Sequence, residues 1–358
     1  MKFLKNLFSK ISTNKNQNWI IQSIERETEE AITLKFTKPK DFIYKAGQFL
    51  IFEKEINGKK VKREYSFSSS PNEELISITA KKIEGGLFSK YLNESIQPND
   101  VLKVTGPKGN FIVEPLNNKK YVAFAGGSGI TPIFSIIKLL MLEEKSSLHL
   151  FYGNQSENTI IFKNKLNQLV EKYPNRLKVT HVLEKSNGMA LEGIIDEPKL
   201  DLFFEKYFDS KEIDEYLICG PGKMIENITN YLKNKNIASN KIKFELFTAA
   251  NNPILSKEKI NGVSSTIQFR YDDVEKTIEY TDISKTIIDA LVDIDENVPY
   301  SCKNGVCGSC MAKVVEGEVT YAPPALNILD DEKVKKGYVL TCCSYPKTPQ
   351  IALDFNVE

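Results

Sequence analysis

The sequence predicts a multidomain fold: an antiparallel β-barrel, a doubly wound α/β sheet, and a small α+β module. Three observations carry this. Residues 19–116 read as short strands cut by Gly, Pro and Asn turns. Residues 117–250 alternate apolar strands with amphipathic helices, the pattern of a parallel sheet. Residues 263–358 change character, with 9 Lys and Arg against 16 Asp and Glu, and with a cysteine cluster followed by a cysteine pair.

The chain has 358 residues, 41 % hydrophobic and 27 % charged, which suits a soluble protein of two or three domains. Residues 1–18 form an N-terminal segment. "MKFLKNLFSKI" would place Phe3, Leu4, Leu7, Phe8 and Ile11 on one helical face, as a frayed tail or a helix packed on the body. It lacks the continuous apolar core and cleavage site of a secretory signal. The barrel strands follow, from "NWIIQSI" to "DVLKVTGPKGNFIV", with "GLFSKYLNESI" as the helix among them. "KYVAFAGG", "SLHLFYGN", "LKVTHVLEK", "EYLICGPG" and "KIKFELF" are the strands of the second part, separated by helices such as "ITPIFSIIKLLMLEE". Residues 251–262 have linker composition. The last part opens with the hairpin "TIQFRYDDVEKTIEY" and the helix "KTIIDALVD".

The net charge of +1 argues against nucleic-acid binding. It hides an asymmetry: −7 after residue 262 and +8 before it. Such an acidic module suits docking on basic partners. No run of about 18 apolar residues is present, so nothing is expected to span a membrane. The cytoplasm is the expected compartment, where clustered cysteines serve metal or redox chemistry more than disulfides.

Cys302, Cys307 and Cys310 make C-x4-C-x2-C, with Cys342 and Cys343 later in "GYVLTCCSYP". This is a [2Fe–2S] spacing, which needs four thiolates and a backbone close enough to donate N–H groups to sulfur. Gly305 and Gly308 permit that approach. Structural zinc would show two C-x2-C knuckles rather than one. The segment resembles a plant-type ferredoxin over residues 263–358, through "CKNGVCGSC", "LDDEKVKKGYVLTCCSYP" and the acidic balance. The resemblance implies a β-grasp fold and makes Cys342 the fourth ligand, with Cys343 a small buried neighbour. On a strand, the two would point to opposite faces, so only one would ligate.

In "REYSFSSSP", Arg63 can neutralise a diphosphate, Tyr65 on the same strand face can stack on a flat ring, and Ser66 can offer a hydroxyl to a ring nitrogen. "GGLFSKYL" supplies Gly85, Gly86, Leu87 and Ser89 at the start of a helix, where amides suit a phosphate. "AFAGGSGITP" supplies Gly126, Gly127, Gly129, Thr131 and Pro132 between a buried strand and a helix, a second anion site. Cys219 and Gly220 end a strand of the same sheet, at the edge where such sheets bind ligands. His149 and His181 lie inside strands and read as structural.

Together these motifs resemble the ferredoxin–NADP reductase superfamily. The order barrel, sheet, ferredoxin is similar to oxygenase reductases, and within them to the phenylacetyl-CoA epoxidase reductase family. The resemblance implies an NAD(P)H:acceptor oxidoreductase with FAD and a [2Fe–2S] cluster, serving an acceptor protein such as a di-iron oxygenase that docks on the acidic module. It gives Arg63, Tyr65, Ser66 and Ser69 to the flavin, with Ser66 at the reacting ring nitrogen. It gives Gly85 to Ser89 to the pyrophosphate, Cys219 to the nicotinamide, and Glu245 and Phe247 to closure over the flavin. Ser66, Cys219 and Glu245 are the expected catalytic residues. The phthalate dioxygenase reductases share the domain order but use FMN. The other readings are a non-catalytic Fe–S redox sensor and a reductase for a desaturase or Rieske oxygenase. Enzymes of this type that select NADPH carry basic residues where this chain has Gln155, Glu184–Lys185 and Ile194. Glu184 would repel a 2′-phosphate, so NADH is expected to serve at least as well as NADPH.

Overall fold

Alternation of buried and exposed residues builds the first sheet. In the strand Gln17–Thr28 (β1), Trp19 and Ile21 turn inward while Ile20 is exposed. The computed structural model describes residues 17–114, 118–142, 145–247 (except 187 and 189) and 260–356. The last stretch omits 272–273, 295, 297, 301–302, 304, 306–307, 309, 322–328 and 330. The expected N-terminal helix and most of the expected linker lie outside the described residues. Gly262 and Val263 are bonded to the C-terminal module, donating to Ile283 O and Pro346 O.

The barrel adds Ala31–Thr37 (β2), Phe49–Ile56 (β3), Lys59–Ser66 (β4), Leu75–Lys81 (β5) and Val101–Lys108 (β6), in the order β4-β3-β6-β1-β2-β5. All five pairings are antiparallel. The helix Leu87–Glu94 (α1) drops Phe88 and Leu92 into the barrel core beside Phe36, Phe52 and Phe67.

The second sheet follows the βα alternation. Its elements are Lys120–Gly126 (β7), Ile130–Leu142 (α2), Ser147–Asn154 (β8), Lys163–Lys172 (α3), Leu177–Leu183 (β9), Leu191–Glu192 (β10), Glu197–Lys206 (α4), Glu215–Gly220 (β11), Gly222–Asn234 (α5) and Ile242–Leu246 (β12). The order is β10-β9-β8-β7-β11-β12, with β10 to β9, β9 to β8, β8 to β7 and β7 to β11 all parallel. The winding reverses beside β7, so its C-terminal end is the switch point where such sheets take ligands. The helix α4 escapes periodicity, but its local signals are plain: Asp196 accepts from Lys199 N, and a proline stands in the first turn. One core runs from Ala46, Phe111 and Val113 of the barrel region into the α2 face of the second sheet.

The chain divides into two units, Met1–Phe244 and Glu245–Glu358. The second unit holds Ser265–Tyr271 (β13), Val274–Tyr280 (β14), Ile287–Asp293 (α6), Met311–Glu316 (β15), Val319–Tyr321 (β16), Asp331–Lys335 (α7), Tyr338–Leu340 (β17), Ser344–Pro346 (β18) and Gln350–Asp354 (β19). Five strands form a mixed sheet, β14-β13-β19-β15-β17, in which β13 and β19 run parallel. The helix α6 buries Ile287, Ile288 and Leu291 in the same core as Cys310 and Cys342.

Candidate functional site

The nucleotide loop is shaped by what cannot fit. β7 ends at Gly126 beside Gly153 of β8, and Ala125 pairs with Cys219 of β11. Residues Gly127–Gly129 form one turn of 3-10 helix before α2. A Cβ on Gly129 would lie 2.1 Å from Cys219 O, and one on Gly220 would lie 2.5 Å from Met224 Cε. The loop is thus pressed against the end of β11. Gly127 differs: its φ is +51° and an added Cβ would meet nothing within 4 Å, so this backbone faces open space. Thr131 Oγ1 donates to Ser128 O at 3.0 Å, and Tyr152 OH donates to Gly127 O at 3.0 Å. Tyr152 escaped the sequence reading, because "YGN" carries no sign of a partner 25 residues away. Pro132 lies in the first turn of α2, where a missing N–H costs nothing. The expected residues from Gly126 to Pro132, with Cys219 and Gly220, therefore come together at one edge. A close-packed glycine turn at a 13-residue helix N-terminus fits a dinucleotide phosphate.

The flavin motif divides between two elements. Arg63 and Tyr65 lie on β4 with Ser66 at its end. Arg63 is exposed and donates to Lys62 O at 2.7 Å; among the described residues it makes no ion pair. The Tyr65 ring lies 6.0 Å from Phe88 of α1, so β4 and the start of α1 are neighbours. Burial pushes the Tyr65 phenol well above its usual range, keeping it neutral. Gly85 (φ +70°) and Gly86 precede α1, whose N-terminus has no side-chain cap and no acidic residue in its first turn. An exposed Arg63 with no ion pair among the described residues and a helix start without a side-chain cap fit a diphosphate. Leu87 opens the helix.

Two serines of these motifs bond within the protein. Ser89 is buried; its Oγ accepts from Ile83 N at 3.1 Å and donates to Gly86 O at 3.3 Å. That hydroxyl shapes the turn before α1. Ser69 is fully buried, paired with Tyr44 OH at 2.7 Å and accepting from Ser77 N at 2.9 Å. Both bonds of its hydroxyl go to the barrel wall.

In the second unit Cys310 Sγ and Cys342 Sγ lie 3.2 Å apart, and Gly305 N donates to Cys342 Sγ at 3.2 Å. Thr341 N and Oγ1 both bond to Cys310 O, at 3.1 and 2.9 Å, and clamp the two cysteine segments together. Thr341 is a second residue missed from sequence. Cys302 and Cys307 lie outside the described residues. Thr341–Cys343 is a 3-10 turn, not a strand, so alternation does not separate Cys342 from Cys343, whose Sγ atoms are 3.7 Å apart. Gly305 N and Cys310 Sγ both contact Cys342. Paired thiols with a backbone N–H aimed at one of them fit an iron–sulfur ligand set.

Gln155, Glu184 and Lys185 are exposed and drawn together by the bonds Glu184 N to Asn154 O and Lys185 N to Gln155 O, each 3.0 Å. Ile194 is 55 % exposed. Glu245 is buried in β12, and Phe247 follows it at 36 % exposure.

Three family models match in order: an oxidoreductase FAD-binding domain over residues 19–112, an oxidoreductase NAD-binding domain over 124–230, and a 2Fe-2S iron-sulfur cluster binding domain over 269–347. The chain is 31 % identical to a subunit of the 1,2-phenylacetyl-CoA epoxidase of Escherichia coli (strain K12), covering 94 % of this chain and 97 % of that one. It is 28 % identical to the ferredoxin reductase component of 3-ketosteroid-9-alpha-monooxygenase of Rhodococcus rhodochrous, covering 94 % and 95 %. Among solved structures, phthalate dioxygenase reductase superposes with a TM-score of 0.59 at 23 % identity, over 95 % of this chain and 98 % of that one. That last likeness concerns the fold. No helix among the described residues is long and apolar enough to cross a membrane.

Proposed function

Because the chain belongs to the family of oxygenase reductases that includes this component of 1,2-phenylacetyl-CoA epoxidase, we propose that it supplies electrons to a di-iron oxygenase of that epoxidase type. It is an NAD(P)H-dependent oxidoreductase with FAD-binding, NAD-binding and [2Fe–2S] domains. The observation that carries the acceptor reading is collinearity: the match to the epoxidase component runs through all three domains. We place the protein in the cytoplasm.

Bound together, these groups turn a two-electron hydride donor into a source of single electrons for a protein acceptor. The chain's own residues hold and orient them. Arg63 would neutralise the flavin diphosphate, helped by the amides of Gly86 and Leu87. Tyr65, neutral and half-buried, would offer its ring face, and Ser66 its hydroxyl. The glycine loop and the amides at the start of α2 would seat the dinucleotide, with Cys219 beside the nicotinamide and Glu245 and Phe247 at the flavin. Cys302, Cys307, Cys310 and Cys342 would hold the cluster. Hydride transfer needs no general base. His149 fits that: it is half-buried and stacks on Phe151, its pKa pushed down to about 4 by desolvation and by Lys178.

With Gln155, Glu184 and Ile194 at these positions, NADH would serve at least as well as NADPH. The acidic module would dock on a basic face of the acceptor. Exposed charge pairs are weak singly, about 0.2–1 kcal/mol, but several of them steer encounter. Reconstitution tests the reading. The purified chain, an NADH supply and candidate di-iron or Rieske oxygenases are mixed, and oxygenated product is measured. Product with the di-iron epoxidase and not with the Rieske enzymes is expected. Product only with the latter would move the chain to another oxygenase class. The rate should fall steeply between about 0.05 and 0.5 M salt as the Debye length shortens; a flat rate would sink electrostatic docking.

A further inference from the structure

The glycine loop and the flavin-motif segment are far apart in sequence, yet one helix joins them. α2 carries the loop at its N-terminus. Its residues Ser135 and Lys138 stand three apart and share a face, and that face meets the barrel. Ser135 is fully buried and donates from Oγ to Ser69 O, 66 residues away. Lys138 Nζ lies 2.5 Å from Glu73 Oε1, the oxygen that also accepts from Ser70 N at 2.6 Å. Between them, Ile136 Cδ1 lies 3.2 Å from where a Cβ on Gly47 would be. The segment from Ser66 to Glu73 thus begins with the hydroxyl assigned to the flavin and ends with the carboxylate that holds α2.

We propose that Ser135 and Lys138 are positioning residues for hydride transfer: they lock the nucleotide loop to the flavin-bearing segment and set the depth at which the nicotinamide meets the flavin. The inference rests on the flavin and nucleotide seats given above. Burial lowers the Lys138 pKa and Glu73, whose side chain is 43 % exposed, opposes that shift across the 2.5 Å contact. A second tie joins the same two domains through α3. Lys165 Nζ lies 2.8 Å from Glu25 Oε1 and also pairs with Glu27, whose carboxylate accepts from Thr33 at 2.6 Å. It involves neither the loop helix nor the segment after Ser66, and serves as a control for general domain adhesion.

The test uses the FAD-loaded full chain and three variants: Ser135→Ala, the double Lys138→Met/Glu73→Gln, and the control Lys165→Met/Glu27→Gln. Each double change avoids leaving one charge of a pair without its partner. Stopped-flow separates the limiting rate of flavin reduction from NADH affinity. The long-wavelength absorbance of the flavin–nicotinamide complex reports their contact. Hydrogen exchange of the residue 66–73 amides in flavin-free protein reports the lock itself. With FAD content retained, the first two variants should lose about tenfold or more in limiting rate, weaken the long-wavelength band and exchange faster at 66–73. The control should stay within about twofold of the parent rate. An unchanged rate in FAD-loaded Ser135→Ala and in the double variant overturns the proposal, as does a control that loses as much as they do. Failure of the underlying seats would look different: Arg63→Ala and Ser66→Ala would bind and reduce FAD like the parent.

Discussion

Two loops of this protein rely on glycine for opposite reasons. In the nucleotide loop, Gly129 is needed because an added Cβ would sit 2.1 Å from a backbone oxygen of β11. In the cysteine loop, Gly308 is needed because its φ is +72°, where L side chains are strained. The first is a packing constraint between distant segments. The second is torsional and local. A packing constraint cannot relax when its neighbour is backbone, whereas torsional strain costs a bounded 1–2 kcal/mol or so. The nucleotide loop should therefore fail abruptly on substitution, and the cysteine loop should bend.

Removing a ligand gives the largest effect and sets the scale for the cysteine loop. Cys342→Ser should lose iron and acid-labile sulfide while keeping FAD, and Cys343→Ser should keep all three. Iron lost only from the second variant would reverse the assignment that Gly305 and Cys310 support. Next is Gly129→Ala, which should cut NADH-dependent flavin reduction by about 100-fold with FAD and iron retained. A loss of threefold or less, by stopped-flow, would mean that the loop yields and that the comparison is wrong. Gly308→Ala is the counterpart: it should cost roughly 1–2 kcal/mol in unfolding of the iron–sulfur module, measured by denaturant titration, with the cluster still assembled. A smaller change is expected at the coenzyme edge, where Glu184→Gln should raise kcat/KM for NADPH by about tenfold, near 1.4 kcal/mol, and leave NADH little changed. No change would place the 2′-phosphate elsewhere.

The smallest effect is on pH. His149 is half-buried on β8 with Nε2 2.8 Å from Thr180 Oγ1, and its pKa falls to about 4 from a usual value near 6.5. A depressed histidine favours the unfolded chain on protonation. Stability is therefore complete above about pH 6.5 and is lost as pH falls toward 4. His149→Phe should flatten that part of the stability curve without touching iron content. An unaltered acid slope would place the sensitivity in other groups.

Much of this was legible in the sequence because it is local. Period-two apolar alternation marks the barrel strands, since successive side chains face opposite ways. The βα rhythm marks the parallel sheet. C-x4-C-x2-C sets thiol spacing along a short loop, and "REYS" puts Arg63 and Tyr65 on one strand face whatever surrounds them. Charge counts needed no structure at all. What tertiary structure alone decided are contacts between residues remote in sequence. Ser69 reads like Ser66, yet its hydroxyl turns inward because Tyr44 and Ser77 meet it there. Cys342 and Cys343 are chemically identical neighbours, and the contacts of Gly305 N and Cys310 Sγ with Cys342 come from the packing of separate segments. Thr341 clamps Cys310 across 31 residues, and Ser135 reaches Ser69 across 66. The physical reason is range: periodicity and spacing record which way a side chain leaves its own backbone, while the partner it finds there is set by how separate segments close-pack against one another.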